Sequence, residues 1–270
     1  MTFAADLQVI KVERASSSLV VDGDVSEWSG QWNTIALTPA MEGDRTNYTG
    51  DINVELIAAV YDHRIYVAAK WPDNKVDVIY KEWEWQRNKY KRGKKLDDMF
   101  ALRFHMSGDY DYTMISEKTY EVDVWIWSAG RSNLAGYAED TAQLITTEML
   151  EDAAEYKGPT GKQVFIKKYR DAGNSIYKNT RPDKKKNQGK SLPGIMLTGN
   201  ESGSVADVKA KGVWKDGYWY LEMSRALDTG HKDDVVLKPG QSIIGAIAVY
   251  NRARAEHKSV SQTLQFELAK

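Results

Sequence analysis

The chain has 270 residues, 42% of them apolar and 28% charged, with a net charge of −1 and no cysteine. A length of this order suits one large β domain or two small ones, and near-neutrality gives no general attraction to nucleic acid or to acidic membrane surfaces. No run approaches the roughly 20 apolar residues of a membrane helix, and the absence of cysteine removes disulfides, thiolate nucleophiles, Fe–S ligation and covalent haem attachment.

The opening Met1-Thr2-Phe3-Ala4-Ala5-Asp6 is too short for a signal peptide but has the small residues of a cleavage-site end, which predicts an exported, periplasmic or equivalent extracytoplasmic chain. Leu7 to Val12 alternates like an edge strand. Leu19 to Trp28 reads as a short strand, an Asp-Gly turn and a tight polar bend closed by an indole. Asp51 to Val60 and Arg64 to Trp71 predict a strand pair across Tyr61-Asp62-His63, the second strand stopping at Pro72, which cannot donate to a ladder.

Tyr80 to Lys95 is charged and aromatic, with Trp83, Trp85 and Tyr90, and lacks the apolar stripe of a helix; it predicts a surface excursion. A strand follows from Met99 to Phe104. Tyr112 to Thr119 then carries Met114 toward the stretch Val122-Asp123-Val124-Trp125-Ile126-Trp127. There Val122, Val124 and Ile126 share one strand face while Asp123, Trp125 and Trp127 share the other. Two indoles on one face either fill a sandwich core, as buried tryptophans mostly do, or wall a flat apolar ligand, with Arg131 beyond Gly130 as a cation at its rim.

Residues 140–197 predict a second excursion, and its Lys184-Lys185-Lys186 run reads as a solvated loop or partner-facing segment rather than a nucleic-acid site. Val205 to Trp214 and Tyr218 to Ser224 pair across Asp216-Gly217, and Ser242 to Tyr250 and Ser259 to Leu268 add two more strands. Strands in pairs, with no alternating helices, predict a mainly β chain: an antiparallel β-sandwich over residues 1–270 with long loop excursions at 80–95 and 140–197.

The chemistry-bearing residues narrow the field. Histidines 63, 105, 231 and 257 do not pair at a metal-motif spacing, and no P-loop, Gly-x-Gly-x-x-Gly, His-Glu-x-x-His or Gly-x-Ser-x-Gly occurs. What remains are soft or nitrogenous ligands near aromatic walls. Met114 precedes the tryptophan strand, and His257 and Lys258 precede the last one. A methionine sulfur can ligate haem iron. A lysine ligates only as the neutral amine, and removing its proton near pH 7 costs roughly 4–5 kcal/mol, which burial and a metal–nitrogen bond offset.

Several segments together resemble the haem b-binding gamma subunit of the ethylbenzene dehydrogenase type, found in DMSO-reductase-like molybdenum enzymes. They are Val21 to Trp28, Ala69-Lys70-Trp71-Pro72-Asp73, Asp97-Asp98 before Phe104, Val122 to Arg131 followed by Gly136 to Asp140, Gly212 to Trp219, Ser224 to Asp228, and Lys258-Ser259-Val260-Ser261. The first of these is shared with carbohydrate-binding modules of the family 9 type, which supply the alternative reading: a sugar-binding sandwich in which Trp83 and Trp85 stack on glycans.

The resemblance implies a β-sandwich with one haem b between its sheets and, as axial ligands, a methionine before the tryptophan strand and a lysine near the C-terminus. Those roles fall on Met114 and Lys258, with Met106 and His257 as rivals and Met99 read as core. Trp125 and Trp127 would then flank the haem, and Arg131 could pair with a propionate. The implied function is electron transfer without catalysis, between the Fe–S beta subunit beside a molybdenum alpha subunit and an external cytochrome c. The nitrite oxidoreductase branch fits best.

Overall fold

The computed structural model describes residues 7–169, 172–253 and 258–270. The expected signal-peptide end at residues 1–6 and His257 lie outside them. In chain order the strands are β1 (Gln8–Arg14), β2 (Asn33–Pro39), β3 (Ile52–Tyr61), β4 (Arg64–Pro72), β5 (Trp83–Gln86) and β6 (Lys89–Arg92). There follow β7 (Met99–Gly108), β8 (Tyr120–Ser128), β9 (Glu139–Thr146), β10 (Ala154–Lys157), β11 (Gln163–Lys168) and β12 (Tyr177–Asn179). The last six are β13 (Ile195–Leu197), β14 (Lys209–Lys215), β15 (Tyr218–Ala226), β16 (Ser242–Tyr250), β17 (Ser259–Ser261) and β18 (Leu264–Leu268). Among the described residues no helix is long and apolar enough to cross a membrane.

Fourteen strands form one continuous sheet that runs β10-β11-β9-β8-β7-β16-β17-β2-β3-β4-β15-β14, with β1 and β18 giving a second route between β3 and β16. The sheet doubles over on itself as a sandwich. Val54, Leu56, Val67, Trp71 and Leu221 from one layer pack with Phe100, Leu102, Trp125, Trp127 and Ile247 from the other in a single buried cluster. The antiparallel sandwich is as the strand pairs predict. One strand departs from it: β1 runs parallel to both β18 and β3, so Gln8–Arg14 is an interior strand and not an edge.

The 140–197 stretch also departs from expectation, because β9, β10 and β11 extend the main sheet. In β9 the buried polar residues Asp140, Gln143 and Thr146 mask the apolar alternation that marks a strand. What stands off the sheet is smaller: the hairpin β5–β6 and the short pair β12–β13. The Val21–Trp28 bend is held by one buried carboxylate, since Glu222 accepts from the Asp22 and Gly23 amides at 3.0 and 2.7 Å and from Trp28 Nε1 at 2.6 Å.

Candidate functional site

The strands β7, β8 and β16 are buried on both faces, which gives the sandwich a second apolar surface outside its core. Met99 and Ala101 of β7, Val122 and Val124 of β8, Ala246 and Ala248 of β16, and Val260 of β17 pave that outer face. Tyr110, Tyr112 and Met114 pack against it from the connection between β7 and β8.

That connection is pinned by its own polar residues. Asp111 Oδ1 accepts from the Thr113 amide at 3.1 Å and Oδ2 from Ser116 Oγ at 3.0 Å, an Asx-type turn. The Tyr120 hydroxyl donates to the Thr113 carbonyl at 2.5 Å, and Arg103 Nη2 donates to the Asp111 carbonyl at 3.0 Å. Met114 is thereby held half-buried over the sheet. Lys258 comes from the other direction, immediately before β17, where its carbonyl accepts from the Ala40 amide and from Asn47 Nδ2, each at 2.8 Å. Two residues before Val260, it shares that residue's face.

The two side chains meet. Lys258, only 4% exposed, places Nζ 2.8 Å from Met114 Sδ and 5.5 Å from the centre of the Tyr250 ring. A cleft walled by Ala101, Val124, Ile126, Ala246 and Val260 runs beside the pair. Arg103 and Gln143 also line it. Both are buried, and Arg103 Nη1 and Gln143 Oε1 have no hydrogen-bond partner among the described residues. Lys168 stands exposed at the rim.

The donor chemistry suits a low-spin haem: a thioether sulfur and an amine nitrogen converge over an apolar slot, with an unused guanidinium N–H for an anionic edge. Arg103 could have been found in the sequence, as a lone cation in the apolar run Met99 to Phe104. Gln143 and Lys168 carry no such signal.

The other expected site residues lie elsewhere. Trp125 and Trp127 are fully buried on the opposite face of β8, in the core between the layers, so the sheet itself separates them from Met114 and Lys258. Trp125 packs on Phe104 at 5.3 Å, and Trp127 packs on Trp219 at 5.0 Å while donating from Nε1 to Asn133 at 2.9 Å. The indoles are core, and the Met–Lys pair lies on the outer face of a sheet, not between the two layers.

Arg131 is tied down. Its Nε bonds both Asp97 oxygens at 3.2 and 3.1 Å, Nη1 reaches the Tyr177 hydroxyl at 3.2 Å, and the guanidinium lies 4.3 Å from the Tyr80 ring centre. It lines a neighbouring cleft that shares Ile126, Lys168 and Tyr250 with the first. Met99 is buried core and meets Arg131 through Sδ at 2.7 Å. Met106 sits where the β7–β8 register shifts between His105 and Ser107.

A second polar cluster is closed by an arginine. Asp123, Asp140 and Asp234 approach one another as metal ligands would, but the Arg225 guanidinium occupies their centre at 2.6, 3.0 and 3.7 Å. Its charge does a cation's work there.

The ethylbenzene dehydrogenase family model matches residues 26–261. No curated protein matches the chain. Among solved structures, a family 9 carbohydrate-binding module from Caldicellulosiruptor kristjanssonii in complex with glucose aligns with a TM-score of 0.43 and 11% identity over 97% of each chain. Its cellotriose complex aligns at 0.43 and 13% identity, over 97% of this chain and 94% of that one. No functional weight rests on likenesses of this size.

Proposed function

The chain belongs to the ethylbenzene dehydrogenase family, and from that premise we propose that it is the electron-transfer subunit of a molybdenum oxidoreductase complex, holding one haem b through Met114 and Lys258. The observation that carries the reading is the convergence of Met114 Sδ and Lys258 Nζ, 144 residues apart in sequence, to 2.8 Å over an apolar slot.

Bound there, haem b supplies a one-electron couple, and two protein ligands leave no open iron position for substrate. The residues have distinct tasks. Met114 offers a neutral sulfur lone pair. Lys258 would offer nitrogen only once its proton has gone, since an ammonium has no lone pair to give. Holding a metal ion would require the two donor atoms, 2.8 Å apart, to part. Ala101, Val124, Ile126, Ala246 and Val260 exclude water from the slot, and Arg103 offers its free N–H to a propionate.

The proposal extends to the partners: an Fe–S subunit beside a molybdenum catalytic subunit on one side, and a c-type cytochrome on the other. The nitrite oxidoreductase branch and an extracytoplasmic location complete it. The test is the visible spectrum of the complex from its native source, air-oxidised and then dithionite-reduced, with a pyridine haemochrome assay. A low-spin spectrum with sharp reduced bands and extractable haem b is expected. Native protein without haem b would overturn the reading.

A further inference from the structure

The two segments that stand off the sandwich, distant in sequence, fold into one lobe. Trp83 and Leu192 exchange backbone hydrogen bonds at 2.8 and 3.0 Å. Trp83 Nε1 donates to the carbonyl and hydroxyl of Thr180, each at 3.1 Å, and Arg92 Nη2 donates to Asn179 Oδ1 at 2.8 Å. The Tyr90 hydroxyl bonds the carbonyls of Asn187 and Lys190. Hairpin β5–β6 and the stretch between β12 and β13 are therefore one surface.

That surface is strongly basic. Residues 80–95 and 177–190 together hold thirteen lysines and arginines against three acids, a net +10 in a chain whose total is −1. The remaining 240 residues thus carry −11. Eleven of the thirteen cations are exposed, and the ion pairs within the lobe are Lys95–Glu82 at 2.7 Å and Lys186–Asp183 at 4.0 Å. Like charge at this density repels itself and adds nothing to packing. A concentration of one sign on one projection is what a complementary partner surface reads, through faster encounter and fixed orientation.

Position narrows the partner. Tyr80, Lys81 and Tyr177, at the roots of the lobe, line the Arg131 cleft, and that cleft shares Ile126, Lys168 and Tyr250 with the slot beside Met114 and Lys258. We infer that the lobe docks the acidic face of an electron-transfer protein and holds it next to this slot. The partner's class rests on the haem reading above; the docking itself rests on the charge. A single-stranded nucleic acid fits less well, because each indole of the lobe already has a partner: Arg92 lies over Trp83 at 4.9 Å and Tyr90 packs edge-on against Trp85 at 5.0 Å.

The test measures capture of the complete chain by two immobilised probes: a small basic c-type cytochrome, and the same cytochrome with its lysines succinylated to make it acidic. Capture by the acidic probe is expected in low salt, weakening at least about tenfold when salt rises past the point where the Debye length is ~8 Å. The triple variant Lys184→Glu, Lys185→Glu, Lys186→Glu changes three exposed turn residues and no core contact; it is expected to weaken capture by about tenfold or more. No capture of the acidic probe, equal capture of both probes, indifference to the triple substitution, or tighter capture by duplex DNA would each overturn the inference. Capture is read by mass and not by colour, so the two readings fail separately. A haemless chain that still takes the acidic probe loses the electron-carrier reading and with it the partner's class but keeps the docking lobe, and a haem-bearing chain that ignores the probe loses the docking lobe alone.

Discussion

Arg225 Nη1 lies 2.6 Å from Asp123 Oδ2 with both side chains wholly buried. The same nitrogen bonds Asp140 at 3.0 Å, and Nη2 donates to the Val235 carbonyl at 2.8 Å. Burial, and then the charge of Asp123, hold the Asp140 carboxyl well above the usual carboxylate range. Removing the guanidinium strands three buried acids, so Arg225→Ala is expected to cost on the order of 3–5 kcal/mol. Asp140→Asn exchanges a carboxyl already biased to its neutral form and is expected to cost far less. Urea unfolding of the two variants checks this; equal losses would contradict it.

The Trp127 indole owes its position to a glycine. A Cβ on Gly212 would come within 2.2 Å of the Trp127 ring. Asn133 ties the two together, accepting from Trp127 Nε1 at 2.9 Å and from the Gly212 amide at 2.8 Å. Gly212→Ala is therefore an overpacking change in the inter-layer core, expected to cost about 1–3 kcal/mol and to alter the near-ultraviolet dichroism of the indoles. Thermal unfolding reads the first effect. Since Trp127 and Lys258 are on opposite sides of a sheet, the haem spectrum should not move, and a shifted spectrum would mean that the two faces communicate.

The alternation from Val122 to Trp127 states which residues share a face, and β8 keeps it. Alternation does not say which face lies inside the sandwich, so the sequence leaves both readings of the indoles open, and the closing of the two layers over them decides it. The meeting of Met114 with Lys258 has no local period at all. It joins a turn-rich connection to the start of a strand, and only the family resemblance pairs the two residues. The strand β9 is hidden for a different reason: polar side chains buried by the Arg225 cluster and the outer face replace the apolar residues that mark a strand. The basic lobe is half legible, its charge plain in each segment and its unity dependent on hydrogen bonds between residues about 100 apart.

Asp98 makes stability depend on pH. It is 1% exposed, and its carboxylate accepts from the Asp77 and Arg252 amides at 2.8 and 3.0 Å and from Trp219 Nε1 at 3.2 Å. Burial is the larger influence and nearby Asp73 adds to it; against the three hydrogen bonds, they push the group up to about 7. The folded protein then keeps a proton that the unfolded chain releases near pH 4, so stability falls as pH rises from about 4 to about 7. The part due to this residue is on the order of 4 kcal/mol across that window. Asp98→Asn carries no titrating proton, and its unfolding free energy should be flatter over the same range. Parallel profiles for the two proteins would contradict the assignment.

Met114→Leu separates the sulfur from the packing. The side chain is half-buried against the outer face, and leucine keeps nearly its volume, so the unfolding free energy should stay within about 1.5 kcal/mol of the parent. The sulfur is gone, however, and with it the axial donor proposed for the iron. The sharp low-spin bands of the reduced protein are expected to be lost or replaced by a high-spin spectrum, with Arg103 and the apolar walls still able to retain haem. Met106→Leu, at the register shift of β7, is the matched control: it removes a nearby sulfur that does not meet Lys258 and should leave the spectrum unchanged. A Met114→Leu protein with unaltered low-spin bands, or a Met106→Leu protein that loses them, would move the ligand away from Met114.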